Sequence, residues 1–497
     1  MTEGEPAASI PTNRWDSEPS KREEAKGFIP GKQYQSPFLQ LKLHGPPMTS
    51  NLKQVWFPGP LIVGAGPSGI ATAACLKERG VPYLILEKET CFAPSWKLRT
   101  YERLKLHLPK QYCELPLMAF PPEFPTYPTK QQFISYLDAY VERFAIKPLF
   151  GMAVRVAEYD PSVRFWRVEA GDLEFICRWL IVATGENAEV VWPEIRGISR
   201  FRGQLLHTSC YMKGDDHRGE KVLVVGSGNS GMEVALDLCD NDAKVSMVVR
   251  DKATLLVLLN SFKFRLWQLH ILPRELLGIS TFGLSMALLK WLPVKAVDAL
   301  LLFGTRLLLG DTEKYGIKRP AIGPLELKSA AGKTPVLDIG TFAKIKSGQI
   351  KVVPDINQFT SRGAEFADGE HEEFDSIILA TGYKSNVTSW LKCHILTAAS
   401  PWTSPSNAKK QIGTFFMQTY ESHVKGFGLA DTFACGKEEE FFGEKDGFPR
   451  TSFPNSWRGK NGLYAAGFTR RGLLGASMDA CKIAEDIANL WSRRYQA

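Results

Sequence analysis

Apolar and polar positions along this chain fall into one pattern that occurs twice. The apolar residues 61–63 run into a glycine turn, an alanine-rich stretch reaches Arg79, and a second apolar run, 83–86, ends in Glu87. Short apolar runs bounded by turn residues predict buried strands, and the stretch between them has helical length, so 59–88 predicts strand, turn, helix, strand. Residues 219–251 repeat the pattern: apolar 222–225, a glycine turn, a helix through about Cys239, and a strand over 244–249 that ends in Arg250.

Between the units lie a Pro- and aromatic-rich segment, 108–144, and alternating stretches such as RFWRVEA that predict strands. WLIVATGENAEV (179–190) predicts a late strand entering a loop, and FDSIILATGYKSN (374–386) repeats its Ala-Thr-Gly. The closing 461–491 again predicts strand, glycine-rich loop and helix.

The two turns read GAGPSG and GSGNSG. In the first, Gly64 permits the sharp turn, Gly66 lets backbone approach a pyrophosphate and Gly69 allows close helix packing, with Ala65, Pro67 and Ser68 between them. In the second these roles pass to Gly226, Gly228 and Gly231, with Ser227, Asn229 and Ser230 between. Each helix N-terminus supplies N–H groups and partial positive charge to phosphates. Glu87, 18 residues after Gly69, suits ribose hydroxyls; Arg250, 19 after Gly231, suits a 2′-phosphate. One site is therefore expected to hold FAD and the other NADPH.

The fold expected is α/β, with two Rossmann-like dinucleotide-binding domains, the NADPH domain inserted into a discontinuous FAD domain. Residues 1–54 read as a disordered lead-in, 55–215 as the first part of the FAD domain and 216–373 as the NADPH domain with an apolar helical insert. Residues 374–497 read as the return of the FAD domain, interrupted by an atypical stretch, 393–437.

Composition narrows the chemistry. The net charge of +8 comes from interspersed residues with no basic, aromatic-laced run, which argues against nucleic acid and suits a small anion. Nine scattered cysteines without CxxC spacing disfavour a metal centre, a dithiol redox centre and a disulfide framework, and favour a reducing compartment. The polar N-terminus lacks an apolar signal core. Residues 254–310 are the most apolar, but charges interrupt them before membrane-span length. A cytoplasmic protein is expected, with peripheral contact to a membrane such as the endoplasmic reticulum as the alternative.

FRGQLLHTSCY, just before the second unit, carries Phe201, Gly203, His207 and Tyr211 in F-x-G-x-x-x-H-x-x-x-Y spacing. This resembles the fingerprint of class B flavin-containing monooxygenases. The plainer reading has His207 satisfying a loop carbonyl and Phe201 packing a core. TYERLKLHLPKQYCELPLMAFPPEFPTYPTKQQFISYL, HILPRELLGISTFGLSMALLKWLP, GKTPVLDIGTFAKIKSGQIKV and GFTRRGLLGASMDACKIAEDI further resemble the plant YUCCA family of indole-3-pyruvate monooxygenases.

That resemblance implies an NADPH- and FAD-dependent enzyme of auxin biosynthesis that turns a 2-oxo acid, indole-3-pyruvate, and O2 into indole-3-acetate and CO2 through a flavin C4a-(hydro)peroxide. It places His107, in RLKLHLPK, where relatives carry a flavin-side asparagine, so His107 either bonds the flavin's oxygen adduct or merely orders the pocket. Aromatics around Phe120, Phe124 and Tyr127, and around Trp267, Phe282 and Trp291, could wall such a pocket or be plain core. Alternative functions are a broader N- or S-oxygenating monooxygenase and an inactive nucleotide-binding paralogue. The stretch 393–437 departs from the family pattern and reads either as translated intron or as a long surface loop.

Overall fold

The computed structural model describes residues 52–249, 270–332, 334–392, 441–451 and 453–495. Arg250, Trp267, the stretch 393–437 and the lead-in as far as residue 51 lie outside the described residues. The strand Lys53–Phe57 begins inside the expected lead-in.

The first nucleotide unit consists of β1 (Leu61–Val63), α1 (Pro67–Glu78) and β2 (Leu84–Leu86). Helix α2 (Lys130–Arg143) follows, started by a reciprocal capping box between Thr129 and Gln132, and β3 (Leu180–Val182) comes next. Helix α2 explains the aromatic segment. Its Tyr136 and Tyr140 hydroxyls donate to the Met118 and Pro116 carbonyls, and Phe120 stacks on Tyr136 at 4.0 Å. Each such ring taken out of water contributes about 1.5–3 kcal/mol, so the proline-rich chain is pinned to the core.

The second unit comprises β4 (Gln204–His207), β5 (Lys221–Val225), α3 (Asn229–Asp240), β6 (Lys244–Val248), α4 (Val294–Leu309), α5 (Pro324–Ala331), β7 (Ile350–Val353) and β8 (Ser376–Leu379). Its five-stranded sheet has the order β7-β6-β5-β8-β4 and is parallel throughout. Continuous apolar strands such as Ser376–Leu379, buried at every position, are what a parallel sheet covered on both faces requires. Because β4 and β8 belong to this sheet, the second unit is wider than the 216–373 expected from sequence. It reaches back to residue 204 and forward to 379.

The chain then returns through β9 (Leu463–Ala465) and α6 (Gly472–Tyr495). Strand β9 pairs with β3, giving a four-stranded parallel sheet of order β9-β3-β1-β2. The end of the chain thus completes the unit that its beginning opened. Helices α1 and α6 pack together through alanines, among them Ala71, Ala73, Ala74, Ala480 and Ala484, whose small side chains permit close approach. A third, mixed sheet of five strands, Lys53–Phe57 at one edge and Leu391–Lys392 at the other, flanks the first unit.

Candidate functional site: two glycine cradles and their junction

The two glycine turns have the same internal logic. Gly64 has φ +106° and Gly226 φ +117°, a region that side chains rarely adopt. A Cβ on Gly64 would lie 2.6 Å from the Ala183 carbonyl oxygen, and one on Gly226 would lie 2.5 Å from that of Ala380. The repeated Ala-Thr-Gly segments are therefore the floors against which the turns are pressed. Ala183 N–H donates to Val63 and Ala380 N–H to Val225, both at 2.9 Å. Gly69 and Gly231 are required for packing, since a Cβ on either would meet the carbonyl oxygen of Gly64 or Gly226 at 2.0 Å.

Gly66 and Gly228 differ from these. Their backbones are extended, at φ −70° and −68°, a conformation open to any residue. A Cβ on either would meet no atom within 4 Å. Nothing within the described chain calls for glycine at these two positions. Each is also the N-cap of its helix, with no side chain bonded to the first-turn N–H groups, which leaves those donors for an anion. A cradle that only a Cβ would fill, at the positive end of a 12-residue helix, fits a pyrophosphate in both units.

The neighbouring residues divide their work. The Ala65 N–H donates to Glu87 Oε2 at 2.7 Å, and Glu89 N–H to Glu87 Oε1 at 3.0 Å. Buried Glu87 therefore clamps the first turn with its carboxylate, and its further lone pairs remain able to accept. Pro67 opens α1, where its missing N–H costs nothing. Ser68 lies against the returning loop, because a Cβ on Gly467 would come within 2.2 Å of its Oγ. Asn229 does not face outward as expected of a cradle residue. Its Oδ1 accepts from Leu337 N–H at 3.0 Å and its Nδ2 donates to the Pro335 carbonyl, tying the segment before Asp338 to α3. Ser227 and Ser230 flank Gly228 in the turn and first helical residues. Arg250 falls outside the described residues.

The fingerprint residues are structural in their contacts. His207, at the end of β4, is 1% exposed; its Nδ1 lies 3.1 Å from Ser209 Oγ and its Nε2 lies 3.2 Å from the Gly382 carbonyl oxygen. Burial pushes its pKa down, so the ring is held neutral. Tyr211 donates to Asp237 Oδ2 at 2.7 Å, and Phe201 packs beneath Gly203, which presses on the Asp375 carbonyl. These are the plainer roles. They fasten the segment entering the second unit to that unit's sheet and to α3.

Among the aromatics proposed as pocket walls, Phe120 and Tyr127 are buried and Phe124 packs against the core. Phe282 meets Tyr112 edge-on at 5.0 Å. Trp291 is 86% exposed and walls nothing among the described residues.

His107 lies where the loop of the first unit crosses onto α3. Its Nε2 is 3.5 Å from Glu233 Oε2, and Glu233 accepts a 2.8 Å hydrogen bond from Tyr101. Sequence reasoning missed Glu233, although it follows the GSGNSG turn by two residues. It also missed Asp479, whose Oδ2 accepts from Gly467 N–H at 3.0 Å and whose pKa is pushed up to about 7 by burial. A charged cluster was missed as well. Glu186, raised by burial, accepts from Arg470 N–H at 2.5 Å, and Lys328 of α5, lowered by burial and by Arg471, lies beside it.

Comparison with known proteins agrees with this geometry. Residues 61–256 match the family described as pyridine nucleotide-disulphide oxidoreductase, a range that spans both glycine turns. The chain is 50% identical over 455 residues to indole-3-pyruvate monooxygenase YUCCA6 of Arabidopsis thaliana, covering 90% of this chain and 94% of that one. It belongs to the YUCCA family. The rice protein indole-3-pyruvate monooxygenase YUCCA4, from Oryza sativa subsp. japonica, is also 50% identical, over 459 residues, covering 89% of this chain and 90% of that one. Among solved structures, a flavin-containing monooxygenase from Stenotrophomonas maltophilia shares the fold at TM-score 0.54 and 17% identity, covering 88% of this chain and 100% of that one. A cyclohexanone monooxygenase bound to ε-caprolactone does so at TM-score 0.59 and 16% identity, covering 89% of each chain. In this YUCCA member two glycine-turn units share one chain, and the loop that carries His107 reaches from the first onto α3 of the second.

Proposed function

We propose that this chain is a flavin-dependent monooxygenase that converts indole-3-pyruvate, O2, NADPH and a proton to indole-3-acetate, CO2, water and NADP+. The observation that carries this reading is identity of 50% across nine-tenths of the chain to relatives named for that reaction, with both cradles intact. FAD on the first turn would supply the oxygen chemistry and NADPH on the second the hydride. The chain's part is to hold the two pyrophosphates on the α1 and α3 N-termini and to clamp the first turn through Glu87. His107 would stand at the junction as a neutral donor or acceptor, since burial and the nearby Arg274 push its pKa down to about 4. Arg250, two residues beyond β6 in the sequence, would select the 2′-phosphate.

Offering the purified enzyme indole-3-pyruvate, a thioether and a tertiary amine in parallel tests the reading. Indole-3-acetate formed in proportion to NADPH consumed, with little oxidation of the other two, is expected. Preferred N- or S-oxide formation would favour the broader oxygenating function.

A membrane surface is the further partner we infer. No helix among the described residues is long and apolar enough to cross a membrane. Yet α4 exposes Leu300, Phe303 and Leu307, at i, i+3 and i+7 on one face, and Trp291 and Leu277 are exposed nearby in sequence. Lys290, Lys295 and Arg306 accompany them, the composition of a helix that lies in an anionic interface. Co-sedimentation with phosphatidylserine-containing vesicles is expected, falling several-fold in a Phe303→Glu, Leu307→Glu variant; equal sedimentation of the two proteins would contradict it.

A further inference from the structure

Glu233 is a buried carboxylate that the glycine cradle does not need. It projects from α3 with 3% exposure and touches two residues of the other unit, Tyr101 and His107. We propose that Glu233 is the positioning residue for His107, its carboxyl group deciding which imidazole nitrogen carries the proton and so whether the other nitrogen donates or accepts a hydrogen bond.

The geometry gives the carboxyl group this control. Tyr101 donates its phenolic proton to Oε2 at 2.8 Å, which anchors the group, and Nε2 of His107 lies 3.5 Å from the same oxygen, within reach of a small side-chain rotation. An ionised Glu233 can only accept, so it favours a proton on Nε2 and leaves Nδ1 as an acceptor. A protonated Glu233 can donate to Nε2, which moves the ring proton to Nδ1 and makes Nδ1 a donor.

The surrounding charges place this change near neutrality. Burial raises the Glu233 pKa to about 7, with Asp237 adding to the rise and with Tyr101, Arg103 and Arg274 opposing it. Arg103 is itself shared with Asp237 at 3.6 Å and Asp240 at 3.0 Å, and Arg274 lies 4.1 Å over the Tyr127 ring. His107 faces Glu233 and Arg274; burial and that guanidinium keep it neutral down to about pH 4. Between those values the carboxyl group is protonated and the imidazole neutral. As pH rises through about 7 the proton leaves, and the imidazole tautomer inverts.

The inference deepens the proposed function, since it rests on His107 standing beside the flavin, but its test does not depend on turnover. Holoenzyme labelled with 15N-histidine is followed by NMR from about pH 5.5 to about 8.5, the range in which an unperturbed histidine would itself titrate; loss of one signal set in H107N identifies His107. The expected result is an exchange of the Nδ1 and Nε2 shifts between the two neutral tautomers with a midpoint near 7. In Glu233→Gln the shifts should not move with pH. In Tyr101→Phe, which keeps the carboxyl group and removes its anchoring donor, the midpoint should move upward. A wild-type His107 whose shifts do not change, or a Glu233→Gln protein that titrates like wild type, overturns the proposal. Indole-3-acetate formed per NADPH consumed, measured over the same range, should vary with pH in wild type and become flat in Glu233→Gln. A protein that makes no indole-3-acetate at all would count against the functional reading and leave the NMR result to decide the role of Glu233.

Discussion

Gly66→Leu should give a folded protein that does not retain FAD. Gly66 is extended at φ −70°, and a Cβ there meets no atom within 4 Å, so the free chain accommodates a side chain without strain. Its melting temperature should stay close to that of the wild-type apoprotein, as for other substitutions that disturb no packed contact, which change stability by about 0.5 kcal/mol or less. A leucine at this point occupies the approach of a pyrophosphate to the first-turn N–H groups of α1. Affinity for FAD should fall by about 100-fold or more, a loss of roughly 3 kcal/mol. Gly69→Ala is the informative contrast. Its Cβ would meet the Gly64 carbonyl oxygen at 2.0 Å, a backbone atom with no freedom to retreat. That variant should lose the fold, not merely the ligand. Flavin absorbance after gel filtration, together with thermal melting, separates the two outcomes.

Gly228→Leu should produce the complementary defect, a yellow protein that NADPH reduces only at far higher concentration. Gly228 repeats the geometry of Gly66, with φ −68° and open surroundings, but it caps α3 in the other unit. The first sheet, Glu87 and the returning loop are untouched, so FAD content should match wild type. The NADPH concentration needed for half-maximal flavin reduction should rise by about 100-fold or more, again roughly 3 kcal/mol. Stopped-flow reduction under nitrogen measures this directly. Equal loss in both variants of both ligands would contradict the assignment of one cradle to each nucleotide.

The parts of this architecture legible in the sequence are those fixed by local backbone geometry. Gly64 and Gly226 must sit at positive φ, and Gly69 and Gly231 must pack on them, so the spacing of the turns records the fold of each unit. Chain return was legible for a similar reason, since a short apolar run before a glycine-rich loop and a helix has few other uses. Sheet membership was not. The runs at 180–182 and 376–379 look alike, but one pairs with β1 and the other with β5, and an apolar run carries no record of its neighbours.

Side-chain tasks were still less visible. Asn229 reads as a cradle residue but bonds the backbone at 335 and 337, a contact created only when the segment before Asp338 docks on α3. Tyr101 and Glu233 are separated by 132 residues and meet because a loop of one unit lies across a helix of the other. His207 stood out by its spacing, and its contacts turn out to be those of a fastener, with neutral nitrogens on Ser209 and the Gly382 carbonyl.

If two cradles in one chain hold FAD and NADPH, reducing power taken up at one is used on a 2-oxo acid at the other. Full-length protein should be purified, its flavin spectrum recorded, and NADPH added without oxygen before air and indole-3-pyruvate are admitted together. A yellow protein that bleaches with NADPH and regains its colour in air while forming one indole-3-acetate per NADPH is expected. A protein that binds FAD but does not bleach, or that bleaches and reoxidises without forming indole-3-acetate, would contradict it.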